Sequence, residues 1–147
     1  MGKSKILISA YSCEPNKGSE PGVGWDYIRS MSKFYDLVVL TRADKKEIIE
    51  KNKIKNINFH YVDLPLIKKN YKFGIMAYLH YYLWQVYIYF YVLRNVNLDE
   101  IKLIHHVTFV NSWMPVFLSF INKKFIWGPI GEHPAIPSDF LKRLPLK

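Results

Sequence analysis

The chain has 147 residues, half of them hydrophobic and 16% aromatic. That is enough for one domain with a real core, and it argues against a disordered chain. A formal net charge of +9 favours an anionic partner, while a single cysteine, Cys13, excludes an internal disulfide and fits a reducing compartment.

The first apolar run, Lys5 to Tyr11 (KILISAY), reads as a strand. No signal peptide is expected, since MGKSK leads straight into this run, and Ile6 stands where myristoylation would want Ser or Thr. The run breaks into Lys17–Trp25 (KGSEPGVGW), a loop in which Gly18, Gly22 and Gly24 allow close backbone approach and Pro15 and Pro21 stiffen the excursion. A strand, a glycine-rich loop and a helix in succession can present backbone N–H groups to a phosphate. Neither of the two commonest nucleotide fingerprints is present, so a ligand loop and an ordinary connection stand about level.

Val23 to Phe34 is then expected to be helical, with Val23, Tyr27, Ile28 and Met31 on one stripe. Asp36 to Thr41 (DLVVLT) has the continuous apolar character of a strand covered on both faces. Asp44 and Glu47 resemble a capping box opening a charged helix, Lys45 to Lys51. Ile57 to Val62 (INFHYV) is a third strand, closed by Pro65. Alternating strands and helices argue for an α/β fold: a Rossmann-like parallel sheet with flanking helices, forming one domain over residues 1–147.

Phe73 to Leu93 runs 21 residues without a charge, the threshold length for a membrane span. Its many tyrosines, with His80 and Gln85, argue instead for an amphipathic helix. The apolar stripe Ile75, Leu79, Leu83, Val86, Phe90, Leu93 is expected to pack on the sheet, with the Tyr, His and Gln side turned away. Leu103 to Val107 (LIHHV) is a fourth strand. Asn111 to Phe120 holds a short helix starting near Pro115, and Lys124 to Trp127 is a fifth strand leading into Gly128–Pro134 (GPIGEHP). A last short segment runs from Ser138 to Pro145.

In an open parallel sheet, ligands collect beyond the carboxyl ends of the strands. Three such ends carry candidate residues: the KGSEPGVGW loop, His105, His106 and Thr108, and Gly128, Gly131, Glu132 and His133. Adjacent residues on a strand face opposite sides, so His105 and His106 cannot both enter one site while the strand continues. For each, a hydrogen-bonded core role and a substrate-facing role stand side by side. Glu20 and Glu132 each either brace backbone N–H groups or reach a sugar hydroxyl. Trp25, Trp113 and Trp127 are expected as core anchors. His60 and His80 are expected to be structural, and Cys13 to be a buried thiol, not a nucleophile. No His/Cys/Asp grouping has metal-ligand spacing, so no bound metal is expected. The basic residues are mostly scattered and come with no RNA-module aromatic string, which sets nucleic acid aside.

Together, ILISAYSCEPNKGSEPGVGW, YYLWQ, HHVTF with a Trp-x-Pro shortly after, and FIWGPIG resemble the N-terminal domain of the family 4 retaining glycosyltransferases, over Ile6 to about Pro137. The resemblance implies one half of a GT-B fold. It implies transfer of a sugar from a nucleotide-sugar donor to a saccharide or lipid-linked acceptor in cell-surface polysaccharide synthesis, with retention and without a metal or other cofactor. It implies that Gly18, Ser19 and Gly22 belong to the loop facing the donor diphosphate and that Glu20 braces it, with Lys17-Gly18 standing where relatives often have Gly-Gly. A histidine near the reacting sugar would be His106 or His105, with His106 the closer match. Thr108, Gly131 and Glu132 would lie at the acceptor side of the cleft, Glu132 replacing a second glycine.

The same resemblance implies a C-terminal donor-binding domain as partner, not contained in these residues, so the chain alone is expected to be inactive. It implies a cytoplasmic place at the inner face of the cytoplasmic membrane as a peripheral protein, which the basic charge and the tyrosine-rich helix also fit. The alternatives are a non-enzymatic Rossmann-like module for a phosphorylated ligand or partner protein, and a small membrane protein anchored by Phe73 to Leu93.

Overall fold

A computed structural model describes residues 3–65, 74–109 and 113–130. Strand β1 (Lys5–Ala10) leads to helix α1 (Ser19–Met31), β2 (Asp36–Thr41), helix α2 (Lys46–Lys51), β3 (Ile57–Tyr61), helix α3 (Ile75–Asn95), β4 (Ile101–Thr108) and β5 (Lys124–Trp127). All strand pairs are parallel, and the order across the five-stranded sheet is β3-β2-β1-β4-β5. The α/β, Rossmann-like expectation holds. The order reverses direction between β1 and β4, which makes that boundary the topological switch point.

The sheet is apolar on both faces because each face is covered. Ile6, Ile8, Val39 and Ile57 pack with Trp25 and Ile28 of α1 and Ile49 of α2. Leu7, Val38, Leu40 and Ile104 pack with Tyr81, Trp84, Ile88 and Val92 of α3. Neighbours along a strand thus serve opposite layers, as the pleat requires. Trp84 is fully buried and its indole N–H donates to the Val62 carbonyl at 2.7 Å, which ties α3 to the end of β3.

Four local expectations need correction. Helix α1 begins at Ser19, not Val23, so Gly22 joins Gly24 inside the helix, and both are buried. Asp44 makes no capping box: the segment is a 3-10 turn, Ala43–Lys45, and the cap position Lys45 has no side-chain cap bond. Asp44 lies instead 3.5 Å from Arg42. Between β4 and β5 the helix near Pro115 is a 3-10 turn at Phe117–Phe120.

The largest correction concerns α3, which is turned over. Its buried residues are His80, Tyr81, Trp84, Gln85, Ile88 and Val92, whereas Ile75, Leu79, Phe90 and Leu93 face outward. Two polar groups of the mixed face have partners, which offsets part of the cost of burying it: His80 Nδ1 meets the Tyr11 hydroxyl at 2.8 Å, and the Tyr81 hydroxyl meets His106 at 2.7 Å, whereas the buried Gln85 amide has no hydrogen-bond partner among the described residues. Among the described residues no helix is long and apolar enough to cross a membrane.

Candidate functional site

The loop between β1 and α1 is folded tightly over the end of β4. The Ser12 N–H donates to Thr108 Oγ1 at 2.9 Å, and the Glu14 N–H donates to the Pro21 carbonyl at 3.0 Å. A side chain at Gly24 would come within 2.5 Å of the Ser12 carbonyl oxygen and 2.9 Å of the Thr108 methyl. At Gly22 it would come within 1.8 Å of the Lys17 carbonyl oxygen. These two glycines are therefore required for close packing of α1 against its own entry loop. Gly18 differs: it is the helix N-cap, in extended backbone, and a Cβ there would meet nothing within 4 Å.

Backbone strain gathers at this edge. Asn16, Ser19 and Phe109 hold φ of 58°, 60° and 61°, a region that disfavours side chains. Glu20, in the first turn of α1, accepts a hydrogen bond from the Phe109 N–H and so holds β4's exit in place. Burial pushes the Glu20 carboxyl up from its ordinary value, partly countered by that bond and by the Arg42 charge.

Arg42, immediately after β2, was not singled out by the sequence patterns. It is 8% exposed, its Nε donates to the Tyr11 carbonyl at 3.0 Å, and its guanidinium lies 4.4 Å from the Tyr11 ring centre. Lys45 reaches Glu14 at 3.2 Å beside it. A cation thus stands behind the loop at the carboxyl edge. The only sequence signal was a lone Arg following an apolar strand.

The two histidines of β4 point to opposite layers. His105 Nε2 lies 2.9 Å from the Gly128 carbonyl, which can only accept, so Nε2 carries the proton and Nδ1 accepts from the Tyr27 hydroxyl at 2.8 Å. Burial lowers the pKa of His105, partly offset by the Gly128 bond. His106 is fully buried beneath α3, with Nδ1 3.0 Å from Ser9 Oγ and Nε2 2.7 Å from the Tyr81 hydroxyl. Burial, with a smaller contribution from His105, lowers its pKa to about 3. His106 is therefore a neutral imidazole near pH 7, and both of its ring nitrogens are engaged within the protein.

Glu20, through Phe109, and Thr108, through Ser12 and Gly24, tie the β1–α1 segment that holds Gly18, Ser19 and Gly22 to the end of β4 at the switch point. His105 lies on the α1 side and His106 on the α3 side. Gly131 and Glu132 lie outside the described residues, as do His133 and the segment from Ser138. Of the three tryptophans expected as core anchors, Trp25 is one, Trp127 is half-buried and Trp113 is 65% exposed, which corrects the expectation for Trp113. Its outward position follows from the tight turn ahead of Phe117–Phe120, which leaves Met114 and Val116 to fill the layer. Cys13 is buried, and burial pushes its thiol up to about 12, which fits an inert thiol. Among the described residues no group of His, Cys, Asp and Glu is arranged to hold a metal ion. A hollow of about 720 Å³ lined by Lys5, Asp36, Lys53 and Asn58 lies at the opposite, amino-terminal edge of the sheet.

No family model matches the chain, and neither does any curated protein or solved structure.

Proposed function

We propose that the chain is the acceptor-side half of a nucleotide-sugar-dependent glycosyltransferase. In this reading the turn Lys17–Ser19 at the start of α1 approaches the donor diphosphate, and a second α/β domain supplies the nucleotide pocket. The observation that supports it is the placement of Gly18. It caps α1 at the switch point with no side-chain cap and with open space where its side chain would be, while Gly22 and Gly24 are consumed by packing. A helix N-terminus left accessible at that edge suits an anion. Arg42 adds positive charge behind it. Glu20 has the bracing role, and His105, nearer the α1 side, is as well placed for the cleft as His106.

The internal bonding of both histidines favours a second reading, a Rossmann-like module that binds a phosphorylated ligand without catalysis. Expression of the chain together with any coding sequence that continues past Lys147 separates the two. The transferase reading expects turnover of a nucleotide sugar with a saccharide or lipid-linked acceptor by the longer product, and a loss of kcat/KM on Gly18→Val. Full turnover by the 147-residue chain alone overturns the half-enzyme reading. A continuation without a second α/β domain favours the binding module.

A further inference from the structure

The outward side of α3 carries an apolar seam with the heptad period. Met76, Leu79, Leu83, Val86, Phe90 and Leu93 recur at alternating spacings of three and four, the a and d positions of successive heptads. Position f, on the opposite side of each heptad, is Tyr81 and then Ile88, both fully buried against the sheet. The seam therefore points straight away from the core. Met76, Leu79, Phe90 and Leu93 are each about half exposed, and Ile75 beside them is 82% exposed. A soluble monomer rarely shows a contiguous apolar surface of this extent without a partner.

The pattern of the seam says what covers it. A repeat of a and d positions suits a second helix, whose side chains interlock with it. The seam also reads the same in both directions. Its six positions are symmetric about the Trp84–Gln85 bond, so a second copy laid antiparallel pairs Met76 with Leu93, Leu79 with Phe90, and Leu83 with Val86. One patch then serves both copies, as a two-fold contact requires. Charge favours the same arrangement. Arg94 is the only Lys, Arg, Asp or Glu in α3. Antiparallel packing sets the two Arg94 side chains about 28 Å apart along the axis, well beyond the screening length, and opposes the helix dipoles. Asp99 and Glu100 follow at the same end, where Glu100 pairs with Lys5, so neither sign of charge dominates there. The side chains exposed from Ile75 to Leu93 present surface on the order of the 800 Å² that each partner buries in a standard interface. Because α3 is already held on the sheet, pairing needs no coil-to-helix transition. We propose that two copies of the chain associate through an antiparallel α3–α3 contact along this seam. This stands independently of the transferase reading.

The test is sedimentation equilibrium of the full chain, which is expected to show a concentration-dependent dimer. Leu79→Glu with Phe90→Glu should weaken it by about a hundredfold or more, since unpaired carboxylates would be buried against apolar side chains. Val23→Glu with Phe34→Glu, exposed positions outside the seam, should leave it unchanged. Circular dichroism confirms that both pairs fold. Oxidation with copper phenanthroline reads the orientation, the native Cys13 being buried. A mixture of Leu79→Cys and Phe90→Cys chains should cross-link one to the other. Neither variant alone should, because like positions lie about 16 Å apart along the axis. A chain that stays monomeric at every concentration, a dimer indifferent to the seam glutamates, or cross-linking by either cysteine variant alone overturns the proposal. So does a monomer that pellets with phosphatidylglycerol vesicles, which would assign the seam to a lipid surface.

Discussion

Glu20 holds the Phe109 backbone N–H, so the first turn of α1 fixes the residue at which β4 leaves the sheet. Phe109 sits at φ 61°, a conformation its side chain disfavours, and needs that anchor. Glu20→Ala should cost about 1–3 kcal/mol, the consequence of stripping a charged acceptor from a part-buried N–H. Glu20→Gln should recover part of it. Urea melts of the three proteins check this; an Ala variant as stable as the parent would contradict it.

The three loop glycines should separate cleanly. Gly22→Ala, with 1.8 Å to the Lys17 carbonyl, should be the most damaging, at about 3 kcal/mol or more. Gly24→Ala should cost about 1–3 kcal/mol, because Ser12 and Thr108 must shift. Gly18→Ala should stay within about 0.5 kcal/mol, since nothing lies within 4 Å and its backbone is extended. Any effect of Gly18 on ligand binding is then readable without a folding defect.

Acid should weaken the fold through its imidazoles. His60, His105 and His106 all have folded pKa values lowered by burial from an ordinary 6.5, so the unfolded chain binds more protons. Stability is therefore complete above about pH 6.5 and falls as pH drops below it. For His106 the loss continues to about pH 3. His106 alone should remove about 3 kcal/mol between pH 7.5 and 4.5. Denaturant midpoints across that range measure the slope, and His106→Gln should flatten it; an unchanged slope would refute the assignment.

Tyr81→Phe keeps the ring beneath α3 but deprives His106 Nε2 of its partner. The expected cost is about 1–3 kcal/mol with unchanged secondary structure. Tyr27→Phe, at a half-buried site against His105, should cost less. A reversed order in thermal melts would show that the His106 contact is not the tighter one.

Most of the fold was legible because buried parallel strands declare themselves as short apolar runs such as KILISA and DLVVLT. The facing of α3 was not. Both of its sides are apolar, and the side that goes inward carries His80 and Tyr81, whose partners Tyr11 and His106 lie far along the chain. Period alone cannot weigh a polar group that is satisfied by tertiary contact. The start of α1 was misplaced for a related reason: Gly18, Pro21 and Gly22 read as a loop, yet Gly22 lies within the helix, where the nearby Lys17 carbonyl leaves no room for a side chain. The loops at the carboxyl edge were visible as a group, but Arg42 was not, since its role comes only from the Tyr11 carbonyl and ring beside it.

The register of the central pair has a consequence for how the chain is made. Ser9 and His106 are neighbours across β1 and β4 yet stand 97 residues apart. The middle of the sheet cannot close while β4 is still inside the ribosome, so the β1–β2–β3 segment must wait with one side of β1 unpaired. The nascent protein is therefore expected to fold late and in one step once β4 emerges, and its earlier lengths should be the protease-sensitive ones.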